Sequence, residues 1–328
     1  MRRFCFVFAA LLLPVSMCGA ADTSLPTYTD AASAGPDFVV QGEYAGEVPI
    51  ADGEKRKLGV QVIALGDGKF RAVGYHGGLP GEGWQKSDGK HSVDGKSENG
   101  VAVFKGEELQ ARIKDGVLSI VRASGEAVGQ LHKVERKSPT LGAKPPVGAA
   151  VLFDGTSADK FEGGKMTPMG WLEVGPRSKQ SFGSCQLHIE FRTPFMPTAE
   201  GQARGNSGVY LQESYEFQVL DSFGLEGKNN ECGGLYSVAD PKVNMCFPPL
   251  SWQTYDFDFT APKFDADGKK VANARVTLRH NGVVIHDDLE IPGLSPAGRP
   301  NEAATGPLML QNHGNPVVYR NIWVVEKK

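Results

Sequence analysis

The chain has 328 residues, 40% of them hydrophobic, with 41 glycines, 21 prolines and a formal net charge of −3, enough for two domains. No basic block or stripe runs through it, so nucleic-acid binding has no electrostatic support. Beyond residue 20 no stretch is apolar for long enough to cross a membrane as a helix.

The first twenty residues read as a signal peptide. Arg2 and Arg3 precede the apolar run from Phe4 to Leu13, and the small residues of Cys18-Gly19-Ala20 predict cleavage after Ala20 and export to the periplasm or exterior. Met17 stands where a lipidation signal needs a small residue, which argues against a lipid anchor at Cys18. Cleavage leaves Cys185, Cys232 and Cys246, and export permits disulfides. Cys232 and Cys246 bracket a loop containing Gly233, Gly234, Asp240 and Pro241 and are the expected pair; three separate buried thiols are the alternative.

Short alternating runs separated by turn residues dominate the mature chain, and no segment keeps a helical apolar period for three turns. This predicts an all-β protein. Residues 22–136 read as a smaller N-terminal meander, with strands at Phe38–Val40, Leu58–Leu65, Phe70–Tyr75, Val101–Phe104, Gln110–Ile113 and Val117–Val121. Gly66-Asp67-Gly68 and Asp115-Gly116 are hairpin turns. The glycine-rich Gly77–Trp84 lacks the Lys-Ser ending and following helix of a phosphate loop and reads as a surface loop. Residues 137–150, stiffened by Pro139, Pro145 and Pro146, read as a linker.

Residues 151–328 alternate more sharply. Cys185, Leu187, Ile189 and Phe191 fall on one strand face, with Gln186, His188, Glu190 and Arg192 on the other. Tyr255, Phe257 and Phe259 alternate with Asp256 and Asp258, Tyr210 and Gln212 oppose Val209 and Leu211, and Asn281-Gly282 marks a hairpin within Arg275–Ile285. One apolar and one polar face per strand is what two stacked antiparallel sheets require. In Tyr215–Asp221, Glu216 and Gln218 share a face, and a β-bulge after Gln218 would turn Asp221 onto it. With the strand of His188, Glu190 and Arg192 as neighbour, these residues would line one groove, able to hold an acid and a base or a metal. The bland alternative is a solvated sheet face.

Several segments in order resemble the 3-keto-disaccharide hydrolase family: Leu152-Phe153-Asp154-Gly155, Leu187–Arg192, Arg204–Leu211, Tyr215–Ser222, Cys232–Tyr236, Trp252–Tyr255 and Leu310–Trp323. The resemblance covers the C-terminal half only. It implies a concanavalin A-like jelly roll that cleaves glucosides already oxidised to a ketone at carbon 3. Glu216–Asp221 is also similar to the catalytic strand of laminarinase-type glucanases, but Gln218 stands where that pattern has an aspartate and the shorter Asp221 where it has a glutamate. This departure argues against double displacement, which needs carboxylates at a set separation.

A 3-ketone acidifies the proton on carbon 2, so elimination followed by hydration is the expected route. It needs a base, an acid for the leaving oxygen and a stabiliser for the enolate. Glu216 or Glu190 is expected as base and Asp221 or His313 as acid, with Arg192 or Asn206 as oxyanion partner. Tyr210, Gln212, Gln218 and Gln311 complete the expected substrate-binding set. No cofactor is required, although a divalent cation could steady the enolate, and the expected partner is a small carbohydrate. A lectin-like binding module on the same sandwich, or a structural envelope protein, are the other readings.

Overall fold

The computed structural model describes residues 25–49 and 54–327. The signal segment, its cleavage site, Cys5 and Cys18 lie outside the described residues. Among those described, no helix is long and apolar enough to cross a membrane.

One expected strand is a helix. Phe38–Val40 belongs to the short α1 (Gly35–Val40), which has proline in its first turn. Pro36 sets a helical φ at the one place where its missing N–H costs nothing, and three consecutive apolar residues carry no strand alternation to oppose it.

Eight antiparallel strands follow: β1 (Gly42–Pro49), β2 (Lys55–Gly66), β3 (Lys69–His76), β4 (Lys90–Glu98), β5 (Val101–Lys105), β6 (Leu109–Lys114), β7 (Val117–Arg122) and β8 (Ala127–Val134). The meander closes, with β8 pairing back onto β1, into an up-and-down barrel. Closure removes both exposed sheet edges. Positive φ at Asp67 and Gly68, and at Asp115 and Gly116, matches the two-residue turns read from the sequence. Val62, Ala64, Phe70, Phe104, Ile113, Leu118 and Leu131 form a buried core inside the barrel, and Phe195 of the following domain joins the same core.

The second domain is a β-sandwich. Its strands are β9 (Ala150–Phe153), β10 (Phe161–Glu162), β11 (Leu172–Glu173), β12 (Arg177–Phe182), β13 (Cys185–Arg192), β14 (Ser207–Leu211), β15 (Tyr215–Val219) and β16 (Gln253–Thr260). The small β17 (Lys263–Phe264) and β18 (Lys270–Ala272) pair with each other; β19 (Ala274–His280), β20 (Val283–Ile291), β21 (Gly306–Leu310) and β22 (Val318–Glu326) complete it. One sheet runs β10-β12-β21-β14-β15; the other runs β11-β22-β13-β16-β19-β20, with β9 beside β22. Leu187, Ile189, Phe191, Phe257 and Phe259 of the second sheet meet Val209, Phe217 and Val219 of the first in one core. The Phe217 and Phe257 rings lie 5.0 Å apart across it.

This topology decides the site. β13 and β15 stand in different sheets, each with its apolar residues turned inward. Their polar faces therefore point out of opposite sides of the sandwich, and the single groove expected from both does not form.

Candidate active site

The outer face of β14, β15 and β21 carries a buried carboxylate. Tyr210 and Glu216 are direct partners across β14 and β15. The Tyr210 hydroxyl donates to Glu216 Oε2 at 2.6 Å, and Gln311 Nε2 reaches the same hydroxyl at 3.3 Å. Among the described residues Gln311 Oε1, which is buried, has no hydrogen-bond partner. The Glu216 backbone N–H is held by Ser295 Oγ at 2.9 Å. Gly208 makes room for the acid, because a Cβ there would lie 2.5 Å from Glu216 Oε1.

Glu216 is 3% exposed. Burial pushes its pKa up to about 7, with hydrogen bonds from Tyr210 and Gln311 pulling the other way. Burial, with the Glu216 charge beside it, keeps the Tyr210 phenol protonated. A carboxylate that titrates near neutrality suits a general base.

Gln218 lies on the same face but is tied into the framework. Its Nε2 donates to Asn206 Oδ1 at 2.7 Å. Asn206 donates in turn to the Gln202 carbonyl at 2.7 Å, and its backbone N–H is held by Asn315 Oδ1 at 2.7 Å. Gln202 and Asn315 were not among the residues read from the sequence. Their only signal was glycine- and asparagine-rich turns, which is weak. His313 lies in the same loop as Asn315, after β21, and is partly exposed.

The structure leaves the other expected residues elsewhere. Asp221 does not join Glu216. The β14–β15 register runs without a bulge and ends at Ser207↔Val219. Beyond it, Asp221 Oδ2 accepts from Arg204 Nε at 2.7 Å. Arg204 also reaches the carbonyls of Pro197 (3.0 Å) and Ala64 (3.3 Å), the latter in the barrel. The pair is thus a buried tie between domains. Gln212, at positive φ, spends its Nε2 on the Phe182 and Ala304 carbonyls, both at 3.0 Å.

Glu190 occupies the opposite outer face. Arg320 Nε (2.6 Å), Asn321 Nδ2 (2.9 Å) and the Gly142 backbone N–H (2.5 Å) all donate to it. Burial alone would raise Glu190; these donors and His188 outweigh it and hold it at about 2. His188 Nδ1 lies 2.6 Å from Asp256 Oδ1, and its ring stacks on Trp323 at 5.1 Å. Burial lowers the His188 pKa, but Asp256 and Glu190 raise it further, to a net increase. The connecting segment seals this cluster: Thr140 Oγ1 donates to Asp256 at 2.6 Å, and Asn321 and Trp323 bind the Ala143 carbonyl. Glu190 is thereby fully covered, and its donors leave it a poor base.

Arg192 lies over Trp171 at 4.2 Å and donates to the Thr29 carbonyl at 2.7 Å. Together they line a separate cleft of about 430 Å³. Cys232 and Cys246 are free, buried thiols, not the expected bridge. Cys232 Sγ sits 3.2 Å from Tyr255 Oη inside the apolar core. Among the described residues no group of three or more His, Cys, Asp or Glu side chains is placed to hold a metal ion.

Residues 148–325 match the 3-keto-alpha-glucoside-1,2-lyase-like domain. The chain belongs to that family. Membership places the sandwich among carbohydrate-active domains of the hydrolase type. A candidate glycosyl hydrolase from Parabacteroides distasonis ATCC 8503 is similar at 35% identity and a TM-score of 0.51, over 56% of this chain and 85% of its own. A second from the same organism has 17% identity and a TM-score of 0.42, over 55% of this chain and 94% of its own. No curated protein matches the chain. The lyase-like domain includes Tyr210, Glu216 and Gln311, and also the connecting segment's last residues, whereas the barrel lies outside it.

Proposed function

We propose that the sandwich cleaves 3-keto-glucosides by elimination across carbons 1 and 2, with Glu216 as the base. The supporting observation is a single one: a buried carboxylate titrating at about 7 and aligned by Tyr210. Glu216 takes the proton from carbon 2, and the electron pair moves onto the carbon 3 oxygen as an enolate. Collapse of the enolate forms the carbon 1–carbon 2 double bond and breaks the bond from carbon 1 to the aglycone oxygen, which leaves with a proton. Water then adds across the double bond if the overall product is the free 3-keto sugar. His313, two residues beyond Gln311, is the proposed acid for the leaving oxygen. Gln311 is the proposed polar contact to the sugar, whereas Asn206, its amide engaged by Gln218 and Gln202, positions the neighbouring loop.

Incubation of the purified protein with 3-keto-lactose or 3-keto-trehalose, beside the unoxidised sugars, tests the reading. Cleavage of the keto sugars alone, with deuterium from solvent appearing at carbon 2, is the expected result. Equal cleavage of the unoxidised sugars would overturn it. A binding module is the second reading, favoured by the cleft where Trp171 and Arg192 present a flat aromatic and cationic surface. Saturable sugar binding without any cleavage would select it. The export expectation becomes a proposal of the same kind, tested by locating the mature N-terminus.

A further inference from the structure

An eight-stranded barrel has an interior just wide enough for side chains to fill. This barrel is filled at one end only. There Phe70, Phe104 and Tyr44 pack with Phe195 of the sandwich. Towards the other end the inward residues of β3 shrink from Phe70 through Ala72 to Gly74. A space of about 500 Å³ opens there, walled by Leu58, Val60, Val93, Phe104, Leu118 and Ile120.

Gly74 marks the void. A Cβ on it would meet only the His91 carbonyl, at 3.8 Å, whereas a Cβ on Gly46 or Gly129 would come within 3.0 and 2.9 Å of its neighbours. Space therefore remains on the β3 side and not beside β1 and β8. At the mouth the His76 and His91 rings meet edge to face at 5.8 Å, both exposed. Leu109 stands 45% exposed beside Glu107 and Glu108 on the same lip.

From this geometry we infer that the barrel binds an uncharged, flat aromatic molecule of two or three rings, with a polar end at His76 and His91. A cavity of about 150 Å³ lined by aliphatic and aromatic residues holds a benzene, so the volume here fits a larger ring system. Apolar walls give the bulk of the affinity and a few polar groups give orientation. The two lip glutamates disfavour an anion. This site is separate from Glu216 and does not depend on the reading of the sandwich.

The uncharged fluorophore N-phenyl-1-naphthylamine, titrated into the full chain, tests the inference. Blue-shifted emission saturating at one probe per chain is expected. Gly74→Phe, which fills the void without changing the strand, should weaken binding at least tenfold while circular dichroism stays unchanged; Ala111→Phe on the facing wall should do the same. No emission change with the unmodified protein, or undiminished binding in the folded variants, would overturn the site. Should both variants unfold, nuclear Overhauser contacts from the probe to Val60 and Ile120 methyls in the unmodified protein decide the matter, and their absence refutes it.

Discussion

Tyr210 and Glu216 face each other across one hairpin, and the phenol donates to the carboxylate at 2.6 Å. A buried acid near pKa 7 is costly to ionise, and the phenol reduces that cost without removing it. Glu216→Gln should keep the fold and lower keto-glucoside cleavage about a hundredfold or more, as for other general bases. In the unmodified enzyme kcat/KM should rise with pH through about 7, as Glu216 ionises.

Tyr210→Phe gives a shift of known sign. Its hydrogen bond lowers the Glu216 pKa, so its loss should move the rising limb to higher pH. The rate at pH 7 should fall and recover in part at pH 9. A pH–rate profile checks this, and a uniform loss at every pH would show that Tyr210 does not act through Glu216.

Gly208→Ala should cost about a hundredfold in kcat with little change in melting temperature. Its added methyl would sit 2.5 Å from Glu216 Oε1 and displace the carboxylate by about an ångström, enough for a loss of that size. Kinetics beside thermal melting separates the two effects.

Stability should respond to two glutamates in opposite directions. Glu216 has a raised pKa, so its contribution is full below about 4.5 and is lost as pH rises to about 7. Glu190, held at about 2, contributes above about 4.5 and loses its contribution as pH falls towards 2. Denaturant titrations should show Glu216→Gln removing the decline between pH 4.5 and 7, worth about 3 kcal/mol. Glu190→Gln should instead flatten the acid limb.

Asp221→Asn tests an acid read from the sequence as catalytic. Asp221 and Arg204 form a buried pair at 2.7 Å, and breaking such a pair from one side costs about 3–5 kcal/mol. The expected outcome is a large loss of stability with unchanged kcat per folded molecule. Lost catalysis at full stability would return Asp221 to the mechanism.

Much of the site's local geometry was legible. Tyr210 and Glu216 lie on adjoining strands joined by a short turn, and alternation alone puts each on its polar face. The role of Gly208 was hidden, because a glycine in a strand does not announce which side chain needs its space. The strap over Glu190 was hidden too. A proline-rich stretch reads as a linker until the Gly142 amide is seen donating to a carboxylate 48 residues away.

By itself the sequence determined the all-β class, the two-residue turns at Asp115-Gly116 and Asn281-Gly282, the inward set of Leu187, Ile189, Phe191 and Phe257, and the family resemblance of the C-terminal half. Only tertiary structure decided that the meander closes into a barrel with a cavity of about 500 Å³ at one end, that β13 and β15 enter different sheets, and that Asp221 goes to Arg204. The physical reason is that side-chain alternation is a property of one strand and its two faces. Which strands become neighbours depends on how distant apolar faces pack, and here the core between Phe217 and Phe257 turned two similar polar faces away from each other.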